Sequence, residues 1–352
     1  MNIFKKKNLV GLDIGTYGVK VVELLPMSKK NREGFQLAGI GYEPLPPQSI
    51  VEGSIMDFTA VAETVSKALD GAHIKNRNVA ISLSGTSVIT RKFMLQNLKG
   101  EDLEESIKFE AKGQLTSPIE DVFFDYEILR EEDDKMDVLL VAIKKEKVNE
   151  FISAVVQSGR NVEVVDTDHF ALLNAVEYNY ALPAESTHAI INMGASQTNI
   201  IISKNGVPLL TRDISFGGNN FTEVIQKEFH LDYEKAEMVK KGQTVGGVNS
   251  NLIEHSVKML FGDLKLEIAK TFDYFQATST EEAISKIFLA GGGSRVRGLN
   301  EFLGKELNLN VESINPFQNV LYNERKFDTD YLHEMEAVFG VAMGLAMRRM
   351  GE

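Results

Sequence analysis

The chain has no cysteine in its 352 residues. That excludes disulfides, thiolate zinc sites and thiol nucleophiles together, and it fits a cytosolic protein. No window approaches the ~18–20 consecutive apolar residues of a membrane-spanning helix. Met1–Lys7 carries three lysines, but Asp13 interrupts the apolar stretch that follows, so the start does not read as a signal peptide. Lys5-Lys6-Lys7 fits either a solvated tail or a segment near an anionic membrane surface. Positive charge is in deficit: 38 Lys and Arg against 50 Asp and Glu give a net charge of −12. Nucleic acid as a main partner needs a basic surface and is disfavoured. The sequence also lacks a GxGxxG fingerprint and a GxxxxGK[ST] loop, which disfavours the Rossmann and P-loop readings. The six histidines show no paired metal-site spacing. His169 and His255 read as surface or satisfied core residues, and Met259, Phe261, Phe272 and Phe275 as a core stripe.

What is present is ordinary globular composition, 43% apolar and 25% charged, in a chain long enough for two or three packed units with no linker or low-complexity break. Leu9–Leu25 reads as a strand, a Gly-rich turn and a second strand, with a third strand at Phe35–Tyr42. Phe58–Leu69 has helical apolar spacing behind an N-cap candidate, Asp57, and Asn78–Leu83 returns to strand. Val88–Met94, Glu101–Leu115, Asp125–Leu129, Met136–Lys144, Val148–Gly159 and Val162–Val165 read as strand, helix, strand, strand, helix and strand of one inserted unit. Asp168–Tyr180 is helical, stopped by Pro183. Further helices are predicted at Phe221–Phe229, Asp232–Lys241, Leu252–Phe275, Leu299–Leu307 and Leu332–Arg348, with a strand at Lys286–Ala290.

The most informative feature is a repeat. Ala189–Gly194, the turn through Thr198 and the strand Asn199–Ser203 copy the strand–turn–strand of Gly11–Glu23. Asp13 falls on Asn192 and Gly15 on Gly194, 179 residues apart. Duplication at that distance suggests two related lobes whose hairpins hold one ligand between them. In the first hairpin, Gly15 permits close approach to an oxyanion, Thr16 offers a hydroxyl, Lys20 a positive charge, and Asp13 a ligand for Mg²⁺ through water. Tight turns also use these residues for conformational reasons alone. Gly291-Gly292-Gly293-Ser294, between a strand and a helix, suits backbone approach to a base or phosphate, or a plain structural turn.

Taken together, in this order, these elements resemble the actin/Hsp70/sugar-kinase superfamily. The resemblance implies an α/β, two-lobed actin-like ATPase fold of duplicated RNase H-like lobes that binds ATP and Mg²⁺. Asp13 would sit under the metal, with Gly15, Thr16, Tyr17 and Lys20 at the β-phosphate. Gly194, Ala195 and Ser196 would wrap the γ-phosphate, and Gly292, Gly293 and Ser294 the adenosine. Glu237 and Lys240 would lie beside ribose and base. Asp168 occupies the position that orients the attacking water. Asn192 departs from the usual aspartate, which implies weak metal binding and slow or negligible hydrolysis. The helices Asp168–Ala175 and Val338–Met347 resemble the connecting pair.

Residues 84–166 resemble the inserted module of the FtsA-like branch. The implied division is a first-lobe core (1–84, 166–188, 326–352), the inserted module (85–165), a second-lobe core (189–225, 286–325) and a helical subdomain (226–285). Within that branch the opening Phe4–Gly15 and Val19–Leu24 is similar to the PilM family of type IV pilus assembly. The stop after the last helix also disfavours an FtsA-like division protein with its membrane anchor. The family implies a scaffold at the cytoplasmic face of the bacterial inner membrane. There it would bind the N-terminal tail of a PilN-like protein beside the module's first strand, near Val88–Phe93, and meet other alignment-complex and motor components, with a homo-oligomer or ring possible. The alternatives are an FtsA-like filament protein or a small-molecule kinase.

Overall fold

In the computed structural model, which describes residues 8–29, 32–246 and 250–349, the chain runs twice through one topology. The first pass is β1 (Val10–Ile14), β2 (Gly18–Lys29), β3 (Arg32–Pro44), the two-residue strands β4 (Ile50–Val51) and β5 (Ser54–Ile55), α1 (Phe58–Gly71) and β6 (Asn78–Leu83). An insertion follows: β7 (Val88–Gln96), α2 (Glu101–Gln114), β8 (Val122–Glu132) and β9 (Lys135–Lys144). The pass ends with α3 (Lys145–Gln157), β10 (Asn161–Thr167) and α4 (Asp168–Asn179). The second pass is β11 (Thr187–Met193), β12 (Thr198–Lys204), β13 (Val207–Ile214), α5 (Gly218–Phe229), α6 (Tyr233–Lys240), α7 (Ser250–Thr278), β14 (Ile284–Ala290), α8 (Leu299–Leu307), β15 (Asn310–Ser313), α9 (Thr329–Met335) and α10 (Gly340–Met347).

The two five-stranded sheets have the orders β3-β2-β1-β6-β10 and β13-β12-β11-β14-β15. In each, three consecutive strands pair antiparallel, and the fourth and fifth add in parallel beside the first. The registers repeat as well: Asp13 faces Lys20, and Asn192 faces Asn199.

Local chemistry sets the elements. Asp57 caps α1 by accepting the Ala60 N–H at 2.9 Å, and α1 buries Val61, Val65, Ala68 and Leu69 on one face. α10 is apolar all round, and α4 buries Ala171, Leu172, Leu173, Ala175 and Val176, as helices between two layers must. Ala171, Leu172, Val176, Val341 and Leu345 join Ala80 of the first sheet and Ile190, Ile201 and Phe288 of the second in one buried cluster. The lobes therefore share a core. Their helices cross so closely that a Cβ on Gly344 would lie 1.6 Å from the Ala171 carbonyl oxygen; only glycine fits there.

Some expectations need correction. Residues 84–166 do not form one unit. The separate module is the sheet β7-β9-β8 covered by α2, whereas Val148, Phe151 and Val155 of α3 pack into the first lobe's core and β10 is the outer strand of its sheet. A strand–helix–strand pattern looks the same whichever sheet receives it. The helix expected at Leu332–Arg348 is two, α9 and α10, joined by a tighter 3₁₀ turn at Glu336–Val338. β13 escaped the sequence reading because Pro208 demotes a strand, and it is an edge strand here. Met259 is 66% exposed and does not belong to the core with Phe261 and Phe275. Lys5–Lys7 lie outside the described residues.

Candidate functional site

A cleft of about 440 Å³ opens between the lobes, within the range of small-molecule sites. From the first hairpin it is lined by Asp13, Gly15, Thr16, Tyr17 and Lys20, and from the second by Asn192, Gly194, Ala195 and Ser196. Glu237 and Lys240 on α6, Gly292 and Gly293 after β14, and Asp168 at the start of α4 complete it. Ser294 is the exception among the predicted residues. It is buried, and its hydroxyl donates to the Gly291 carbonyl at 2.7 Å, closing the turn instead of facing the cleft.

The hairpins are built alike. The Gly15 N–H donates to the Gly18 carbonyl at 3.2 Å, and the Gly194 N–H to the Gln197 carbonyl at 2.8 Å. Their tips meet across the cleft, with the Thr16 and Ser196 hydroxyls 3.0 Å apart. The chemistry differs at the base of each. Lys20 Nζ lies 3.2 Å from Asp13 Oδ2, whereas in the second hairpin Asn192 Nδ2 donates to Asn199 Oδ1 at 3.1 Å. An ion pair in one lobe is a neutral amide pair in the other. Burial pushes the Asp13 carboxyl above its ordinary range; the Lys20 charge opposes this and the Asp168 charge adds to it. Such a carboxylate favours a cation.

On the far wall, Lys240 Nζ contacts Glu237 Oε1 and lies 2.9 Å from Thr222 Oγ1, whose hydroxyl also meets Glu237. Burial holds the Lys240 amine below its ordinary range, against the pull of Glu237. The triple-glycine turn packs against the second hairpin: a Cβ on Gly293 would meet the Gly194 carbonyl oxygen at 2.6 Å. That close backbone approach forms a cradle that side chains would fill. At the mouth, the rings of Tyr17 and Tyr233 face each other from opposite lobes at 6.4 Å.

The sequence reading missed a polar chain behind the second hairpin. Asn199 Nδ2 donates to Asp213 Oδ1 at 2.6 Å, and His169 Nε2 lies 3.0 Å from the same oxygen. Asp213 also accepts the Gly85 N–H at 2.9 Å. His169 is thus a buried core residue, while His255 is exposed. Asn199 had a signal in the repeat, since it falls on Lys20; Asp213 and Gly85 had none.

Two lobes of one topology, helices crossing between them and paired hairpins facing a cleft define an actin-like ATPase fold. A solved PilM–PilN type IV pilus biogenesis complex matches it with a TM-score of 0.86 and 28% identity, over 97% of this chain and 98% of that one. The family model of the type IV pilus assembly protein PilM matches residues 11–350, and the chain belongs to that family. The ethanolamine utilization protein EutJ from Carboxydothermus hydrogenoformans shares the fold, with a TM-score of 0.57 at 12% identity over 98% of this chain and 91% of that one. The cell division protein FtsA of Bacillus subtilis is 23% identical over 263 residues, 66% of this chain and 57% of that protein. The match thus spans little more than half of that relative's length.

Proposed function

We propose that this chain is an ATP-binding scaffold of type IV pilus assembly that docks the N-terminal cytoplasmic tail of a PilN-like inner-membrane protein and turns ATP over slowly or not at all. The observation that carries the reading is the cleft with two facing hairpins, one charged at its base and one neutral. Gly15, Thr16, Tyr17 and Lys20 would hold the β-phosphate, and Gly194, Ala195 and Ser196 the γ-phosphate. Gly292 and Gly293 would lie against the adenosine, with Glu237 and Lys240 at the ribose and base. Among the described residues no group of three or more His, Asp or Glu could hold a metal. Asp13 would therefore bind Mg²⁺ with water and phosphate as the other ligands, as this ion commonly is held. The ion would supply charge neutralisation at the phosphates. Asn192 adds no charge to that site, and the Asp168 carboxylate already accepts the Ser82 hydroxyl at 2.6 Å. Both features favour binding over hydrolysis.

A solved relative is a PilM–PilN complex, and β7 is an outer strand of the inserted sheet, so an extended tail could add to it by strand pairing. Among the described residues no helix is long and apolar enough to cross a membrane. In this reading the partner recruits the chain to the inner membrane, where it would meet other pilus alignment and motor components, as a homo-oligomer or ring. The test is titration of a labelled peptide, copied from the tail of the PilN-like protein of the same genome, with and without Mg-ATP. Saturable binding lost on scrambling the peptide is expected. No binding in either state would overturn the docking role and bring FtsA-like polymerisation forward, which sedimentation with ATP would then detect.

A further inference from the structure

The strand that leaves the cleft is also the strand that leads into the inserted module. β6 ends at Leu83, and Ser84 and a 3₁₀ turn at Gly85–Ser87 pass directly into β7. This exit is pinned at three successive points. The Ser82 hydroxyl donates to Asp168 at 2.6 Å, the Ser84 hydroxyl accepts from Gln197 Nε2 at 2.6 Å, and the Gly85 N–H donates to Asp213 at 2.9 Å. Two of the three partners belong to the opposite lobe. Gln197 sits in the turn of the second hairpin. Asp213, on β13, does not line the cleft, but it connects to the cleft wall through Asn199 and Asn192.

We propose that Asp213 and Gln197 form a relay between the lobes that sets the position of the inserted module according to what occupies the cleft, with Asp213 as its positioning residue. The proposal rests on the reading of the cleft as a nucleotide site. The physical case is that a ligand held by Asn192 and by the Gly194–Ser196 backbone must fix the second hairpin relative to the first lobe. Every shift of that hairpin is felt at Ser84 and Gly85, because both are hydrogen-bonded to it directly or through one side chain. Asp213 gathers three elements on one carboxylate: His169 of α4, Asn199 of β12 and the backbone of Gly85. The bonds from Asn199 and Gly85 are charge-assisted hydrogen bonds, which are short and directional, and His169 packs its Nε2 beside the same oxygen. Opening the cleft has to break or stretch them, and β7 would then lose its fixed start. Coupling of this sort is a difference in affinity or protection between two states, and it runs both ways.

The experiment is hydrogen exchange on the full chain with and without Mg-ATP, read at the amides of Gly85 and β7, with nucleotide affinity measured in parallel by a fluorescent ATP analogue. In the unsubstituted protein, Mg-ATP should slow exchange at Gly85 and β7 by about fivefold or more. Asp213→Ala should still bind the analogue saturably, weaker only by the few-fold that the lost contacts had contributed to closing the cleft, while β7 no longer responds to it. Ser84→Ala, which removes only one small hydroxyl, should weaken the response in the same direction and serves if Asp213→Ala does not fold. If the unsubstituted protein binds nucleotide but its β7 amides are unmoved, the relay is overturned and the nucleotide reading stands. The relay is overturned equally if both variants respond like the unsubstituted protein, or if they lose nucleotide binding itself. Should the unsubstituted protein not bind Mg-ATP at all, the nucleotide reading falls and the relay with it.

Discussion

Gly344→Ala tests the claim that two helices crossing at backbone contact hold the lobes together. A Cβ at this position would lie 1.6 Å from the Ala171 carbonyl oxygen and 2.4 Å from its carbon, where ordinary contact begins near 3.4 Å. α10 and α4 would have to part by about 1.8 Å, and the obstacle is backbone, which cannot rotate away. The gap would open the shared cluster around Leu172, Val341 and Leu345. Overpacking a tight core costs about 1–3 kcal/mol, with the upper end or beyond expected against backbone. Replacing glycine inside a helix returns about 1 kcal/mol through propensity. The net loss is about 2 kcal/mol or more. Gly262→Ala in α7 is the matched control, because a Cβ there meets nothing within 4 Å, and it should gain about 1 kcal/mol. Thermal unfolding followed by circular dichroism should move the two variants in opposite directions, separated by about 3 kcal/mol at the midpoint. Equal shifts would refute the argument and mean that the crossing is looser than this packing requires.

The fold was legible where a residue type answers to one geometry. Asp13-Ile-Gly15 and Asn192-Met-Gly194 could be aligned because a tight turn after a buried strand restricts both positions, and the registers Asp13–Lys20 and Asn192–Asn199 are the outcome. The helices Asp168–Ala175 and Val338–Met347 were likewise recognisable as a connecting pair through the resemblance, and α4 and α10 meet at Ala171 and Gly344. What was not legible depends on partners far away in the chain. α3 and β10 join the first sheet because β6 leaves a parallel edge for them, a fact about position 78 that nothing near position 161 encodes.

The site shows the same division. A run of three glycines marks a close backbone approach but not which neighbouring side chain faces the ligand, so Ser294 is expected in the cleft when its hydroxyl in fact closes the turn. Ser84, Gln197 and Asp213 are residue types found in any polar turn. Their pairing joins positions 113 and 128 residues apart, and only folding brings them together. Asn199 lies within the repeat and could have been found by matching its second strand residue by residue, since the residue matching Lys20 is the natural partner of the residue matching Asp13.

Two further substitutions probe the polar chain. Burial pushes the Asp213 carboxyl up, but the His169, Asn199 and Gly85 contacts outweigh it and hold the group below its ordinary 3.8. The folded protein therefore binds fewer protons there than the unfolded chain, and the stability so gained is present above that value and lost as pH falls through the folded one. Asp213→Asn should flatten the fall in unfolding midpoint as pH drops below about 5; an unchanged slope would show that the contacts do not stabilise the charge. Asn192→Asp would put a carboxylate in the cleft opposite Asp13, but that carboxylate would face Asn199 Oδ1, and Asn199 cannot turn its amide without abandoning Asp213. The single variant should lose about 1–3 kcal/mol without nucleotide and release phosphate no faster. Asn192→Asp with Asn199→Lys, which copies the Asp13–Lys20 pair onto the same register, should recover that stability, because the new ammonium would face both carboxylates. If the single variant is as stable as the unsubstituted protein, the amide pair is not what fixes the base of the second hairpin.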